Sequence, residues 1–203
     1  MMEEGLDKVV LNKLKLKSKP PKLDHWKSFL YKYKNPKRKI SIGLVGKYVE
    51  LQDSYKSILE ALIHAGAVNE AEVKVVSIHS EHLDQANSKE QLKSLDGLIV
   101  APGFGGRGIE GKIDAITYVR KNKIPFFGIC LGMQLLAKTG FEGGETKGLG
   151  LIDGEVIPFD KTSNFRIPHV GWNVMYGKQK HPLLKNIKNG VDFYFCPFPL
   201  IYF

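Results

Sequence analysis

From residue 40 onward, short apolar β-rich runs alternate with amphipathic helical stretches. That alternation restricts the chain to βαβ units, and so to a parallel sheet covered by helices on both faces. Residues 40–46 read as the first buried strand. Asp53 can cap a helix whose Ile58, Leu59, Leu62 and Ile63 form one apolar stripe ending at Gly66. Strands are predicted at 73–78, at 98–100 after Asp96-Gly97, and at 125–129, with a helix over Ile113, Ile116 and Val119 before the last of these. After Leu136 glycines crowd residues 140–154, and shorter strands are predicted at 151–159, 165–172 and 191–195. The expected fold class is α/β: a three-layer, open, mostly parallel sheet with a short-stranded C-terminal portion.

The 203 residues carry a formal net charge of +9, which raises the question of nucleic-acid binding. The charge is local. Residues 1–39 hold 12 Lys and Arg against 4 Asp and Glu, leaving 18 against 17 for the rest. A basic face spanning the domain is therefore excluded, and residues 1–39 read as a solvated basic linker or arm ahead of a domain at 40–203. Within the arm, Asp24 can cap a short helix with Trp26, Phe29, Leu30 and Tyr33 on one face. No stretch reaches the roughly 18 apolar residues of a membrane span, and no secretory leader opens the chain, so a cytoplasmic protein without membrane or nucleic-acid partners is expected. Cys130 and Cys196 stand far apart and outside any CxxC pattern, which argues against a disulfide framework or a zinc site.

The string Gly128-Ile129-Cys130-Leu131-Gly132 follows an apolar strand and precedes a helical segment. This is the layout of a nucleophile elbow with cysteine in the nucleophile position. Glycines flank the turn because side chains there collide with neighbouring strands, and a helix start beneath the thiol favours its ionised form. A small buried cysteine in a tight turn is the alternative. The loop Ala101-Pro102-Gly103-Phe104-Gly105-Gly106-Arg107-Gly108 also follows a strand. Its amides can face the same end of the sheet and complement an oxyanion. A phosphate loop is the rival, though the Walker Lys-Ser/Thr ending and the full GxGxxG spacing are missing; a plain structural turn is a third reading.

Three separated motifs occur in order: Gly43 to Ser57, the loop Ala101 to Lys112, and Pro125 to Gln134. Together they resemble the glutaminase domain of the CTP synthase family, within the class I glutamine amidotransferases, and the basic arm resembles that family's interdomain linker. The resemblance spans about residues 8–136. Beyond it, Lys147 to Ile152, Ile167 to Asn173 and His181 to Leu184 resemble the glutaminase subunit of imidazole glycerol phosphate synthase, so residues 135–195 read as a hybrid continuation.

The resemblance implies a flavodoxin-like fold, no cofactor or metal, and glutamine as substrate. It implies Cys130 as the attacking thiolate, the amides of Gly103 and Leu131 as the oxyanion hole, and Phe104, Gly105, Gln134 and Glu142 as glutamine contacts. Loop packing for Phe104, an ordinary helix position for Gln134 and a surface charge for Glu142 remain as alternatives. The ammonia passes to a synthase domain or subunit, in pyrimidine nucleotide biosynthesis by the first resemblance and in histidine biosynthesis by the second.

Both families complete their triad with a His-x-Glu pattern near the C-terminus, and of His25, His64, His79, His82, His169 and His181 none stands in one there; His79-Ser80-Glu81 has the spacing but follows an early strand, where a solvated turn is expected. Cys196-Pro197-Phe198-Pro199 near the end makes a poor closing strand, and it reads as a truncated or frame-shifted terminus. A glutaminase domain that captures glutamine analogues better than it turns over glutamine, a non-catalytic partner-binding module, and nucleic-acid binding through the basic arm are the three readings carried forward.

Overall fold

A computed structural model describes residues 4–19, 21–103, 105–141, 144–158, 170–178, 180–195 and 199–202. Two compact units emerge: Met1–Lys39 with Ala61–Glu72, and Ile40–Glu60 with Val73–Phe203.

The first unit contains helices α1 (Leu6–Lys13) and α2 (Asp24–Lys34). α1 buries no side chain, and Leu6, Val9 and Val10 stay exposed along it. In α2, Trp26 stacks on Phe29 with ring centroids 5.5 Å apart, and Phe29 meets the edge of His64 at 5.5 Å. The expected stripe thus forms, although Trp26 and Tyr33 remain half exposed. Lys37 pairs with Glu70 at 2.7 Å, and the Glu70 carboxyl is held below its ordinary range by that bond.

In the second unit the main sheet is built from β1 (Arg38–Gly46), β2 (Ala71–His79), β3 (Gly97–Val100) and β4 (Phe126–Gly128), ordered β2-β1-β3-β4. β1 pairs parallel with β3, Leu44 opposite Ile99, and β3 pairs parallel with β4, Ile99 opposite Phe127. This mostly parallel α/β arrangement is the flavodoxin-like order, with its switch point beside β1 and β3.

Alternation along the strands supplies both faces. Leu44, Val75 and Ile99 pack on one side with Tyr55, Ile58 and Leu59. Val45, Val76, Ile78, Leu98 and Val100 pack on the other with Leu92 of α4 (Ser88–Leu92) and with Ala115, Ile116 and Val119 of α5 (Ile109–Lys121). Val45, Val100, Val119 and Leu92 are fully buried, each contributing about 1.5–3 kcal/mol before the cost of chain ordering.

Several expectations shift. Asp24 does not cap α2; it is the first residue of that helix, after Leu23. Asp53 does not cap an α-helix; it lies inside a 3₁₀ turn, Gln52–Tyr55, that feeds α3 (Lys56–Val68). The helix after Cys130 is a single turn, α6 (Leu131–Gln134).

The short-stranded portion forms a second sheet from β5 (Thr139–Gly140), β6 (Thr146–Lys147), β7 (Glu155–Pro158) and a late strand, and a separate hairpin of β8 (Gly171–Met175) with β9 (Val191–Phe195). The late strand, β10 (Pro199–Tyr202), runs antiparallel to β7. The strand expected at 151–159 begins only at Glu155, because the N–H groups of Leu151 and Ile152 both donate to the Leu136 carbonyl at 2.8 Å instead of joining a ladder. The strand expected at 165–172 falls mostly outside the described residues, where β8 alone is seen from Gly171.

Candidate functional site

β3 and β4 lie side by side in parallel, so the loops leaving their carboxyl ends meet. One carries Gly103; the other carries Cys130. The Cys130 backbone has φ 53° and ψ −115°, a region that a residue with a Cβ avoids at a cost of about 1–3 kcal/mol.

The surroundings hold it there. The Ile129 N–H donates to the Val100 carbonyl at 3.0 Å, and the Cys130 carbonyl accepts from the N–H groups of Met133 and Gln134 at 2.9 and 3.0 Å. The flanking glycines are sterically required. A Cβ on Gly128 meets the Met133 nitrogen at 2.7 Å, and one on Gly132 meets the Val100 side chain at 2.9 Å.

Cys130 is half-buried and opens onto a cleft of about 500 Å³. Gly103, Gly105, Leu131 and Gln134 line the same cleft, so five of the seven sequence-predicted site residues come together there. The other two, Phe104 and Glu142, lie outside the described residues. As the first helical residue, Leu131 has an N–H with no acceptor inside its helix. A half-buried thiol on an open cleft, beside the N-terminal N–H of a helical turn, is placed as a nucleophile needs to be.

Glu110 and Ile113 of α5 and Thr146, Lys147 and Gly148 also line the cleft, none of them singled out as a site residue by the sequence motifs. Among the described residues no histidine lines the cleft. His79 and His82 stack on each other at 4.4 Å, with His79 Nδ1 accepting from the Glu81 N–H. His181 Nδ1 accepts from the Leu183 N–H at the start of a 3₁₀ turn. His169 and Cys196 lie outside the described residues.

The sequence reading also missed Lys112. Its side chain is 1% exposed, and Nζ donates to the Ala101 carbonyl at 2.8 Å. Burial pushes the ammonium down to about 8, while the charge of Cys130 pulls it up and Lys47 pushes it further down. A single turn of helix has few aligned peptides, so the dipole expected beneath Cys130 is small, and Lys112 is one nearby charge that interacts with Cys130.

Among the described residues no helix is long and apolar enough to cross a membrane. The family model for glutamine amidotransferase class-I matches residues 50–195. Over 136 residues, 66% of this chain, the sequence is 68% identical to CTP synthase of Flavobacterium psychrophilum and 65% identical to that of Flavobacterium johnsoniae. The chain spans 25% of the length of those relatives. Among solved structures, the glutaminase domain of Trypanosoma brucei CTPS with bound acivicin superposes with a TM-score of 0.64 at 26% identity, covering 80% of this chain and 68% of that one. Neither the imidazole glycerol phosphate synthase reading nor the non-catalytic reading gains support over the CTP synthase reading from these matches. The chain belongs to the class-I glutamine amidotransferase family, and it is most like the glutaminase domain of CTP synthases.

Proposed function

We propose that Cys130 attacks the side-chain amide carbon of glutamine, releasing ammonia and leaving a glutamyl thioester that water then hydrolyses. The observation that carries this is the strained Cys130 backbone, which sets the thiol on the cleft that Gly103 and Leu131 also line. The N–H groups of Gly103 and Leu131 hold the oxyanion. Phe104, Gly105 and Gln134 contact the substrate, and Glu142 meets its amino group. The ammonia goes to a synthase domain of the CTP synthase kind, the basic arm serves as the linker to it, and the protein works in the cytoplasm without a cofactor.

The leaving amine needs a proton; no His-x-Glu pattern follows Cys130 in these 203 residues, and among the described residues no histidine lines the cleft to supply it. This chain therefore captures glutamine-like electrophiles faster than it turns over glutamine. The test compares two rates on the purified chain: labelling by the chloroketone analogue of glutamine, and ammonia release from glutamine. Stoichiometric labelling that vanishes in Cys130→Ala, beside slow ammonia release, is expected. Ammonia release at the roughly 1–10³ s⁻¹ of ordinary enzymes overturns the impaired-turnover reading, and labelling that persists in Cys130→Ala overturns the site.

A further inference from the structure

The loop that carries Gly103 is held by two buried side chains the mechanism above does not use. Lys112 Nζ donates to the Ala101 carbonyl at 2.8 Å, and the Tyr55 hydroxyl donates to the next carbonyl, Pro102, at 3.2 Å. Tyr55 is 5% exposed and Lys112 is 1% exposed. The Ala101 N–H is tied as well, to the Val45 carbonyl at 2.9 Å.

The Tyr55 hydroxyl has no freedom in this role. Its oxygen accepts from the N–H groups of Lys47 and Tyr48 at 3.2 and 3.3 Å, which occupies both lone pairs and leaves its one hydrogen for Pro102. The spacing around it is set by Gly46, whose absent Cβ would stand 2.6 Å from the Tyr55 hydroxyl.

Pinning the Pro102 carbonyl has a consequence one bond away. In a trans peptide the carbonyl and the following N–H point in opposite directions across one plane. Holding the Pro102 oxygen at Tyr55 therefore turns the Gly103 N–H away from Tyr55, and Gly103 itself lines the Cys130 cleft. Lys112 also lies beside Gly103 itself: its Nζ stands 3.3 Å from where a Cβ on that glycine would be.

We propose that Tyr55 and Lys112 are positioning residues, whose grip on the carbonyls of Pro102 and Ala101 aims the Gly103 N–H at the carbonyl oxygen of the bound substrate. The proposal rests on the glutaminase reading of the cleft. Without the grip, the peptide between Pro102 and Gly103 is free to rotate, and a rotated peptide presents an oxygen where the oxyanion needs a hydrogen. Lys112 has a second effect through its charge, since an ammonium that is favoured by the Cys130 thiolate favours that thiolate in return.

Two alkylating probes separate aim from reactivity. Iodoacetamide reports the thiolate alone: sulfur bonds to the methylene carbon and iodide leaves. With the chloroketone analogue of glutamine, sulfur bonds to the methylene carbon and chloride leaves while negative charge builds on the ketone oxygen, where the Gly103 N–H acts. The measured quantity is the ratio of the chloroketone rate to the iodoacetamide rate in the wild-type chain, Tyr55→Phe and Lys112→Met, each checked for folding by near-UV circular dichroism. The ratio is expected to fall by about 10-fold or more in both variants, approaching the loss seen when an oxyanion donor is removed. In Lys112→Met the iodoacetamide profile also moves to higher pH.

Equal loss with both probes, or an unchanged ratio, overturns the proposal. If Tyr55→Phe does not fold, Lys112→Met gives the same ratio and decides alone. A wild-type chain that reacts with iodoacetamide but not with the chloroketone removes the glutaminase reading and the proposal with it, whereas a labelled wild type with an unchanged ratio removes the proposal only.

Discussion

Cys130 is one of the few residues with a Cβ at positive φ, and the residues around it have no slack to relieve it. Gly132→Ala drives a methyl against Val100, so it is expected to destabilise the chain by about 1–3 kcal/mol and to slow chloroketone labelling, read by denaturant unfolding and intact mass. Lys112 makes the opposite kind of demand, because it is a cation kept out of water. With its folded-state value down at about 8 and its unfolded value at 10.5, the unfolded chain binds more protons between those limits. Stability is therefore lowest, as far as this group is concerned, below pH 8 and rises as pH climbs toward 10.5, by about 3 kcal/mol at most. Comparing urea midpoints from pH 7 to 10.5, that rise is expected in the wild type and absent in Lys112→Met.

At the scale of elements, the main sheet and the hairpin should behave differently. β1 and β3 are buried on both faces, whereas β8 and β9 pair with each other and leave Trp172, Val174 and Tyr194 exposed. A two-stranded hairpin with an exposed apolar face is marginal on its own. In native-state hydrogen exchange the amides of Val45 and Val100 should exchange slowest, with those of Trp172 and Tyr194 faster by orders of magnitude.

The same contrast explains what could be read in advance. The buried strands and the elbow were legible because their signals are local: a continuous apolar run, then glycines two positions either side of a cysteine. Phe126 to Gly128 running into Cys130 needed no tertiary information. The cleft wall from Thr146 to Gly148 was not legible, since it is brought there by a sheet of two-residue strands too short to show a period. Lys112 did leave a trace, sitting four residues before Ile116 and seven before Val119 on the stripe that α5 buries. A lysine on an apolar stripe is ordinarily placed at the surface by its charge, which is why the periodicity alone did not single it out. Tyr55 left none, because its bond to the Pro102 carbonyl spans 47 residues and its two nearer bonds, to the N–H groups of Lys47 and Tyr48, show no period in the sequence.

At the scale of the whole molecule, almost all of the excess charge belongs to residues 1–39, where helices α1 and α2 leave their lysines in solvent. Any association with duplex DNA should then be of the non-specific kind, with a dissociation constant of about 10⁻⁴–10⁻⁶ M that weakens steeply with added salt. Fluorescence anisotropy at several salt concentrations checks this. Residues 40–203 are close to neutral, as suits a cleft whose proposed substrate is a zwitterion.

The account stands on Cys130 being an accessible thiol inside a glutamine-binding cleft, and substrate protection tests that directly. The rate of iodoacetamide alkylation at Cys130, followed by peptide mass spectrometry, is measured at rising L-glutamine with D-glutamine as the control. Saturable protection by the L isomer alone is predicted. An alkylation rate that L-glutamine does not change, or a Cys130 that iodoacetamide cannot reach in the folded chain, contradicts it.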